Sequence, residues 1–284
     1  MSAISQRLVI RRSQSLLEFD FASLWEYRDL LLLLVRRDFV SKYTQTVLGP
    51  AWFVIQPVLT TLVFSVIFGK VAQIPTQGVP PALFYMCGLL PWNYFAQNFS
   101  ATAVTLIAQA GLFTKVYFPR LIVPLAAIVS NLCATLIQLV TFFGFFAFYK
   151  FGTAAGDTFA IQWQVVFFPL LFLQVAAFSL GVGLLMSALT AKYRDLQHLS
   201  SFLIQLWLYS TPVIYPLERI SEKWQWLILL NPMTMPVEAC KFIFLGVGTI
   251  HTGVMLSSIG MTLAVLLSGL IVFKRVERTF VDIV

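Results

Sequence analysis

The chain has 284 residues, 59% of them hydrophobic and 11% charged, with a mean hydropathy of +0.85. Soluble domains carry roughly 25% charged residues, so this composition excludes a soluble globule and makes the chain an integral membrane protein. Nineteen Lys and Arg against twelve Asp and Glu give a net charge of +7, but the basic residues sit beside apolar runs, where they set orientation in a bilayer rather than bind nucleic acid.

Residues 1–22 form an N-terminal tail with Arg7, Arg11, Arg12, Glu18 and Asp20. It has no apolar core followed by a small-residue cleavage site, so no signal peptide is read and the first span targets the chain. Residues 23–48 read as an amphipathic helix lying on the membrane. Leu31, Val35, Phe39 and Tyr43 recur at every fourth position, with Arg37, Ser41 and Thr44 on the other side. The apolar run Leu30 to Val35 is six residues, far below the roughly 20 that cross a hydrocarbon core. Leu30, Leu33 and Leu34 fall outside the stripe. Two readings stand: an interfacial anchor, or a helix with one apolar face for lipid and another for protein.

The transmembrane domain covers residues 49–275. Spans are expected at 51–69, with Pro57 as a kink; at 81–108, with a break at Pro91; and at 121–149, 163–189, 197–217 and 253–273. Between the fifth and sixth, Trp224 to Val237 is only fourteen uncharged residues, interrupted by Asn231-Pro232 and Pro236. That length fits a re-entrant pair of half-helices within 222–248. Residues 276–284 are a tail. The fold class is thus an all-α membrane protein: six transmembrane helices, an N-terminal amphipathic interface helix and a re-entrant helical hairpin between helices five and six. Fourteen of the nineteen basic residues fall on the side of the termini, while Lys70, Lys150, Arg219, Lys223 and Lys241 fall on the other, so both termini are expected in the cytoplasm.

Chemistry is sparse. His198 and His251 belong to no metal motif, and Cys87, Cys133 and Cys240 have neither metal nor disulfide spacing. Without a G-x-x-x-x-G-K-[ST] loop there is no nucleotide phosphate site, so the chain reads as no enzyme, with no cofactor or metal of its own. Glu238 is the one carboxylate expected below the membrane surface, as a structural cap or as a functional group. Aromatic residues are in surplus: Trp52, Phe53, Tyr85, Trp92, Tyr94, Phe95, Trp207, Tyr209, Tyr215, Trp224 and Trp226 cluster near span ends. They read either as an interfacial belt or as the lining of a path along which sugar-ring faces slide. Three segments combine charge with aromatic rings: the entry helix, the loop Gly111 to Arg120, and Ala191 to Leu196. Aromatics and Arg dominate binding energy at protein interfaces, which marks these as a partner surface.

In chain order, Arg37-Asp38 with Tyr43, Leu48-Gly49-Pro50-Ala51-Trp52 and Pro57, then Lys115-Val116-Tyr117-Phe118-Pro119-Arg120, then Tyr193-Arg194-Asp195, then Asn231-Pro232 with Glu238 resemble one family. It is the membrane subunits of type-2 ABC exporters of lipid-linked polysaccharide: O-antigen, capsule and teichoic-acid permeases. The resemblance covers nearly everything after residue 25. It implies a homodimer in the bacterial inner membrane, bound to two cytoplasmic ABC ATPase subunits that carry ATP and Mg, with the channel at the dimer interface. It places Arg36, Arg37, Phe39, Phe113, Tyr117, Phe118, Arg120, Tyr193, Arg194 and Asp195 at the ATPase contact. Asn231, Pro232 and Glu238 would form a periplasmic gate, and Trp52, Phe53, Tyr85, Trp92, Tyr94, Trp207, Tyr209 and Tyr215 a polysaccharide path. Arg36, Arg37 and Lys42 would receive the diphosphate of a polyprenyl carrier. An exporter of drugs or lipids with the same fold is the alternative, and a secondary transporter or membrane enzyme a more distant one.

Overall fold

The computed structural model describes residues 21–42, 44, 46–113, 118–193 and 195–280. Its elements are helical among these residues. Helix α1 (Phe21–Glu26) and α2 (Arg28–Ser41) precede a turn in which Gly49 takes φ +51, a left-handed conformation suited to glycine. Then come α3 (Trp52–Phe64), continued by a π-helical turn at Ser65–Val71, α4 (Pro81–Ala103), α5 (Thr105–Ala108), α6 (Ala110–Phe113) and α7 (Ile122–Gly152). The chain continues through α8 (Phe168–Lys192), α9 (Leu196–Tyr209), α10 (Glu222–Leu229), α11 (Thr234–Leu245) and α12 (Thr252–Phe280). Pro81 occupies the first turn of α4, where its missing N–H costs nothing, and Gly246 closes α11 at φ +70.

Among the described residues four segments are long and apolar enough to cross a membrane: 49–71, 122–152, 163–192 and 252–277. A fifth is available if α10 and α11, bent by 89° across their break, count as one. The two remaining expected spans look different. Helix α4 is 23 residues, about 35 Å at 1.5 Å per residue, yet Asn93, Gln97 and Asn98 dilute its hydropathy. It tolerates them because it is the inner helix, buried over most of its length against α7, α8 and α11. The expected fifth span stops early: α9 is 14 residues, roughly 21 Å, and residues 210–215 form turns. Pro57 and Pro91 lie inside continuous helices. The break expected at Pro91 falls instead at Val104, between α4 and α5, where the backbone is at φ −108, ψ 4. Leu89, Leu90, Pro91 and Trp92 are packed all round, so tertiary contacts hold the helix through the proline.

Glycines set the tightest contacts. A Cβ on Gly269 of α12 would sit 2.4 Å from the Gly181 carbonyl oxygen of α8, and one on Gly181 would sit 2.7 Å from the Leu266 Cα. Two residues on, on nearly the opposite face of α8, a Cβ on Gly183 would sit 2.5 Å from the Thr102 Cβ of α4. Small residues thus bring three backbones together, the usual basis of helix association in a lipid solvent that supplies no hydrophobic drive between helices. Around them Phe95 stacks on Phe99 and Phe178, with centroids 6.1 and 5.5 Å away.

A second apolar cluster docks α2 on α7: Leu34, Phe118, Ile122, Val123 and Ala126, with Tyr27, Leu30, Leu31 and Val35 around them. The docked face therefore centres on Leu34, not on the predicted stripe through Phe39. Leu30 and Leu34, outside that stripe, meet the chain's own α7, while Trp25, Leu32, Leu33 and Val40 are exposed on the other side. Phe118→Ala is expected to cost about 3 kcal/mol through the cavity it leaves. Limited proteolysis of the purified protein should then cut near α2 sooner than in the wild type; unchanged cleavage would show that this cluster does not hold the helix.

Candidate functional site

Sequence-predicted residues gather at two ends of the bundle. At the α2 end, Arg36 and Arg37 are exposed, and Arg37 clamps Asp38 through Nη2 at 2.8 Å and Nε at 2.9 Å. The Phe39 ring stacks on Phe53 at 5.7 Å, tying α2 to the start of α3. Phe113 and Phe118 lie 5.8 Å apart, and the Arg120 guanidinium lies 5.3 Å from the Phe113 ring centre. Arg120 also donates to the Glu277 carbonyl at 2.8 Å, with the Glu277 carboxylate 3.8 Å away. The loop before α7 is thereby bound to the end of α12. Phe118, expected at the ATPase contact, is only 5% exposed and packs inside the α2–α7 cluster. Tyr193 and Asp195 are exposed, with the Lys192 ammonium 5.2 Å from the Tyr193 ring centre. Tyr43, Tyr117 and Arg194 lie outside the described residues.

Lys42 parts company with the two arginines. Its Nζ donates to Asn131 Oδ1 at 2.6 Å, and the Asn131 amide donates to Asn98 Oδ1 at 2.9 Å. Burial pushes the Lys42 ammonium below its ordinary value, while the Asp38 charge opposes the shift. Beside it is a cavity of about 260 Å³ among α2, α4, α5 and α7. Lys42 is thus tied to α7, while Arg36 and Arg37 are exposed on α2.

At the opposite end the bent α10–α11 pair is held by a polar network. The Trp207 Nε1 donates to Asn231 Oδ1 at 2.9 Å; the Asn231 amide donates to the Ser210 carbonyl at 3.2 Å and to Thr211 Oγ1 at 2.9 Å. Ser258 of α12 donates to the Pro232 carbonyl at 2.8 Å. Glu238 and Lys241 are each 1% exposed and 3.2 Å apart. Lys241 also donates to the Pro212 carbonyl and lies 4.2 Å from the Phe84 ring centre, while Glu238 Oε2 accepts from the Thr249 amide at 3.1 Å. Sequence reasoning placed Lys241 among the loop charges on the far side; it lies in the interior instead. The missed signal was its i,i+3 spacing from Glu238 on one helix face. Cys87 and Cys240 meet nearby, with their sulfurs 3.7 Å apart.

The aromatic residues divide. Tyr85, Trp92 and Tyr94 are 0%, 3% and 1% exposed, and Trp207 packs edge-on against Phe95 and Phe178. Tyr85, Trp92 and Tyr94 are covered by their own chain, so lining a path is not a role their geometry offers, whereas Trp207 is half-buried. Phe53 is half-buried under Phe39. Trp52 and Tyr209 are 46% and 54% exposed, and Tyr215 donates its hydroxyl to the Tyr209 carbonyl at 2.9 Å.

Comparison with known proteins gives the arrangement a context. Residues 29–245 match the family described as ABC-2 type transporter. The chain is 34% identical over 224 residues to an O-antigen export system permease protein, RfbA, of Myxococcus xanthus, covering 78% of this chain and 82% of that one. It is 30% identical over 270 residues to an RfbA of Klebsiella pneumoniae, covering 90% and 95%. The polysialic acid transport protein KpsM of Escherichia coli is 23% identical over 244 residues, covering 85% and 91%.

Proposed function

From the premise that this chain belongs to the ABC-2 type transporter family, we propose that it is the channel-forming permease subunit of an ATP-driven exporter of lipid-linked polysaccharide, O-antigen foremost. The observation that carries this reading is its 34% and 30% identity to two O-antigen export permeases, over most of both chains. The subunit works as a homodimer in the bacterial inner membrane, with both termini cytoplasmic and the channel between the two copies. Its partner is a pair of ABC ATPase subunits, and ATP and Mg belong to them.

The geometry supports a division of labour between the two ends. Exposed Arg36, Arg37, Tyr193 and Asp195 face the ATPase. Force applied to α2 passes into α3 through the Phe39–Phe53 stack and into α7 through Leu34 and Phe118. Arg120 relays the same movement to α12 through Glu277. At the far end the α10–α11 hairpin, carrying Asn231, Pro232 and Glu238, is the periplasmic gate. Exposed Trp52 and Tyr209 line the path, where a ring face slides past sugars without binding any one tightly. The carrier's diphosphate approaches along Arg36, Arg37 and Lys42.

Charge reversal tests the coupling. Arg36→Glu with Arg37→Glu is expected to abolish co-purification with the ATPase and to lower polysaccharide export at least tenfold, while the permease still accumulates in the membrane. Normal export with normal co-purification would overturn the contact. A wild-type complex whose ATPase responds to small hydrophobic compounds and not to lipid-linked polysaccharide would favour the drug or lipid exporter.

A further inference from the structure

The cavity behind the end of α2 holds a group that nothing in the bundle uses. Its walls are Asp38, Ser41 and Lys42 of the entry segment, Thr105 and Gln109 near α5, and Val123, Ser130 and Asn131 of α7. Ser130 is 1% exposed, and its hydroxyl has no hydrogen-bond partner among the described residues. A buried hydroxyl left unpaired is costly, and such groups in a native structure call for a ligand or an ordered water. Lys42 reaches toward the same space. An ammonium offers three donors, and here a single neutral amide, that of Asn131, takes one of them.

The charge balance favours an anion. Asp38 is the cavity's carboxylate, and Arg37 neutralises it from outside through two short contacts. The Lys42 charge remains. Among the described residues, hydroxyls and amides supply the rest of the polar wall, so these offer one cation and several neutral donors to a ligand rich in acceptor oxygens. Lys serves as a point charge for phosphate in such sites. A volume of about 260 Å³ lies just under the usual range for ligand pockets, about 300–1,000 Å³. It suits a small head and excludes a sugar chain. Asn131 is the tenth residue of α7, about 14 Å below the start of that helix, a depth that a head on a lipid anchor can reach from the leaflet.

We propose that this cavity is a receptor for a phosphate-bearing headgroup, with Lys42 as its cation and Ser130 and Asn131 as its fixed hydrogen-bonding groups. On binding, Lys42 turns from Asn131 to the phosphate oxygens, and Ser130 donates to the same group. The surface arginines then steer the head toward the cavity and do not hold it. The assignment rests on the exporter reading for its orientation, since that reading places the α2 end at the cytoplasmic leaflet. The same chemistry fits the polyprenyl diphosphate of the substrate, the head of an ordinary anionic phospholipid, and free phosphate.

The test uses the full chain in nanodiscs of phosphatidylcholine. Polyprenyl diphosphate, phosphatidylglycerol and inorganic diphosphate are each titrated, with binding read by native mass spectrometry and by thermal shift. Whichever probe binds the wild type should lose at least tenfold in affinity in Lys42→Met and recover in Lys42→Arg. Ser130→Ala is the sharper variant. It removes an unpartnered oxygen, so the unliganded protein should melt at or slightly above the wild-type temperature while binding weakens severalfold. Specific loss for polyprenyl diphosphate identifies the substrate carrier; loss for phosphatidylglycerol identifies a structural lipid; loss for inorganic diphosphate alone identifies a soluble ligand. Equal binding of every probe by wild type, Lys42→Met and Ser130→Ala would overturn the site. Binding is read without export, so a failed exporter reading leaves a different signature: intact, Lys42-dependent binding in a protein that moves no polysaccharide.

Discussion

Gly269→Val is expected to remove the folded protein from the membrane almost entirely, with membrane-extracted, monodisperse material falling at least tenfold. The reason lies in what a side chain would meet. The nearest atom to a Cβ at Gly269 is the Gly181 carbonyl oxygen at 2.4 Å, with the Gly181 carbonyl carbon and Cα at 3.0 Å. These are backbone atoms of α8, which cannot rotate aside. Inserting methyl groups into a packed core costs roughly 1–3 kcal/mol, and more where both sides are rigid. Valine adds three carbons at a position with no room for one. Gly269→Ala should show an intermediate loss, and Gly260→Ala, on the same helix with nothing within 4 Å, should behave as wild type. Size-exclusion profiles of the three variants check the claim. A monodisperse Gly269→Val would mean that α8 and α12 separate freely, contrary to the geometry.

The second large effect concerns Lys241. Lys241→Met leaves Glu238, 1% exposed, with no cation in an interior that also contains Phe84 and the Pro212 carbonyl. Breaking a buried pair by removing one partner costs about 3–5 kcal/mol, because the other charge is left uncompensated. Thermal denaturation in detergent should show a drop of many degrees. The double variant Glu238→Gln with Lys241→Met should recover most of that loss, since it removes both charges together. A double variant as unstable as the single one would mean that Lys241 matters for its bond to the Pro212 carbonyl and not for its charge. The network joins the 210–216 turn to α11, so export should fall in the single variant even at temperatures where it stays folded.

The parts of the fold legible in the sequence were those whose signal is a long uncharged run. The expected spans 121–149 and 163–189 coincide, but for their first residues, with α7 and α8, because nothing inside them competes with a helix. The reading faltered where tertiary contacts override local pattern. Helix α4 carries amides that a lipid-facing span would reject, and it keeps them because its neighbours cover it. Pro91 sits unbroken for the same reason. The entry helix showed its amphipathy, but its docked face is set by Phe118, Ile122 and Val123, residues more than 80 positions away that no periodicity within α2 reveals. The candidate sites were legible as residue types and not as roles. Glu238 stood out as a carboxylate in an apolar region, yet its partner was counted as a loop charge. Lys42 was grouped with Arg36 and Arg37 by proximity in the chain, and an asparagine on another helix draws it away.

The covered position of α4 bears on how the protein is made. Of the helices that shield it, α7, α8 and α11 all follow it in the chain. When α4 leaves the ribosome, only α3 among its packing neighbours has been made, so its asparagines and glutamine lack most of their cover. The segment therefore gains most of its cover only once α7 and α8 have been synthesised. Assembly of the bundle is therefore cooperative, since the packing that covers α4 is completed by helices that arrive after it.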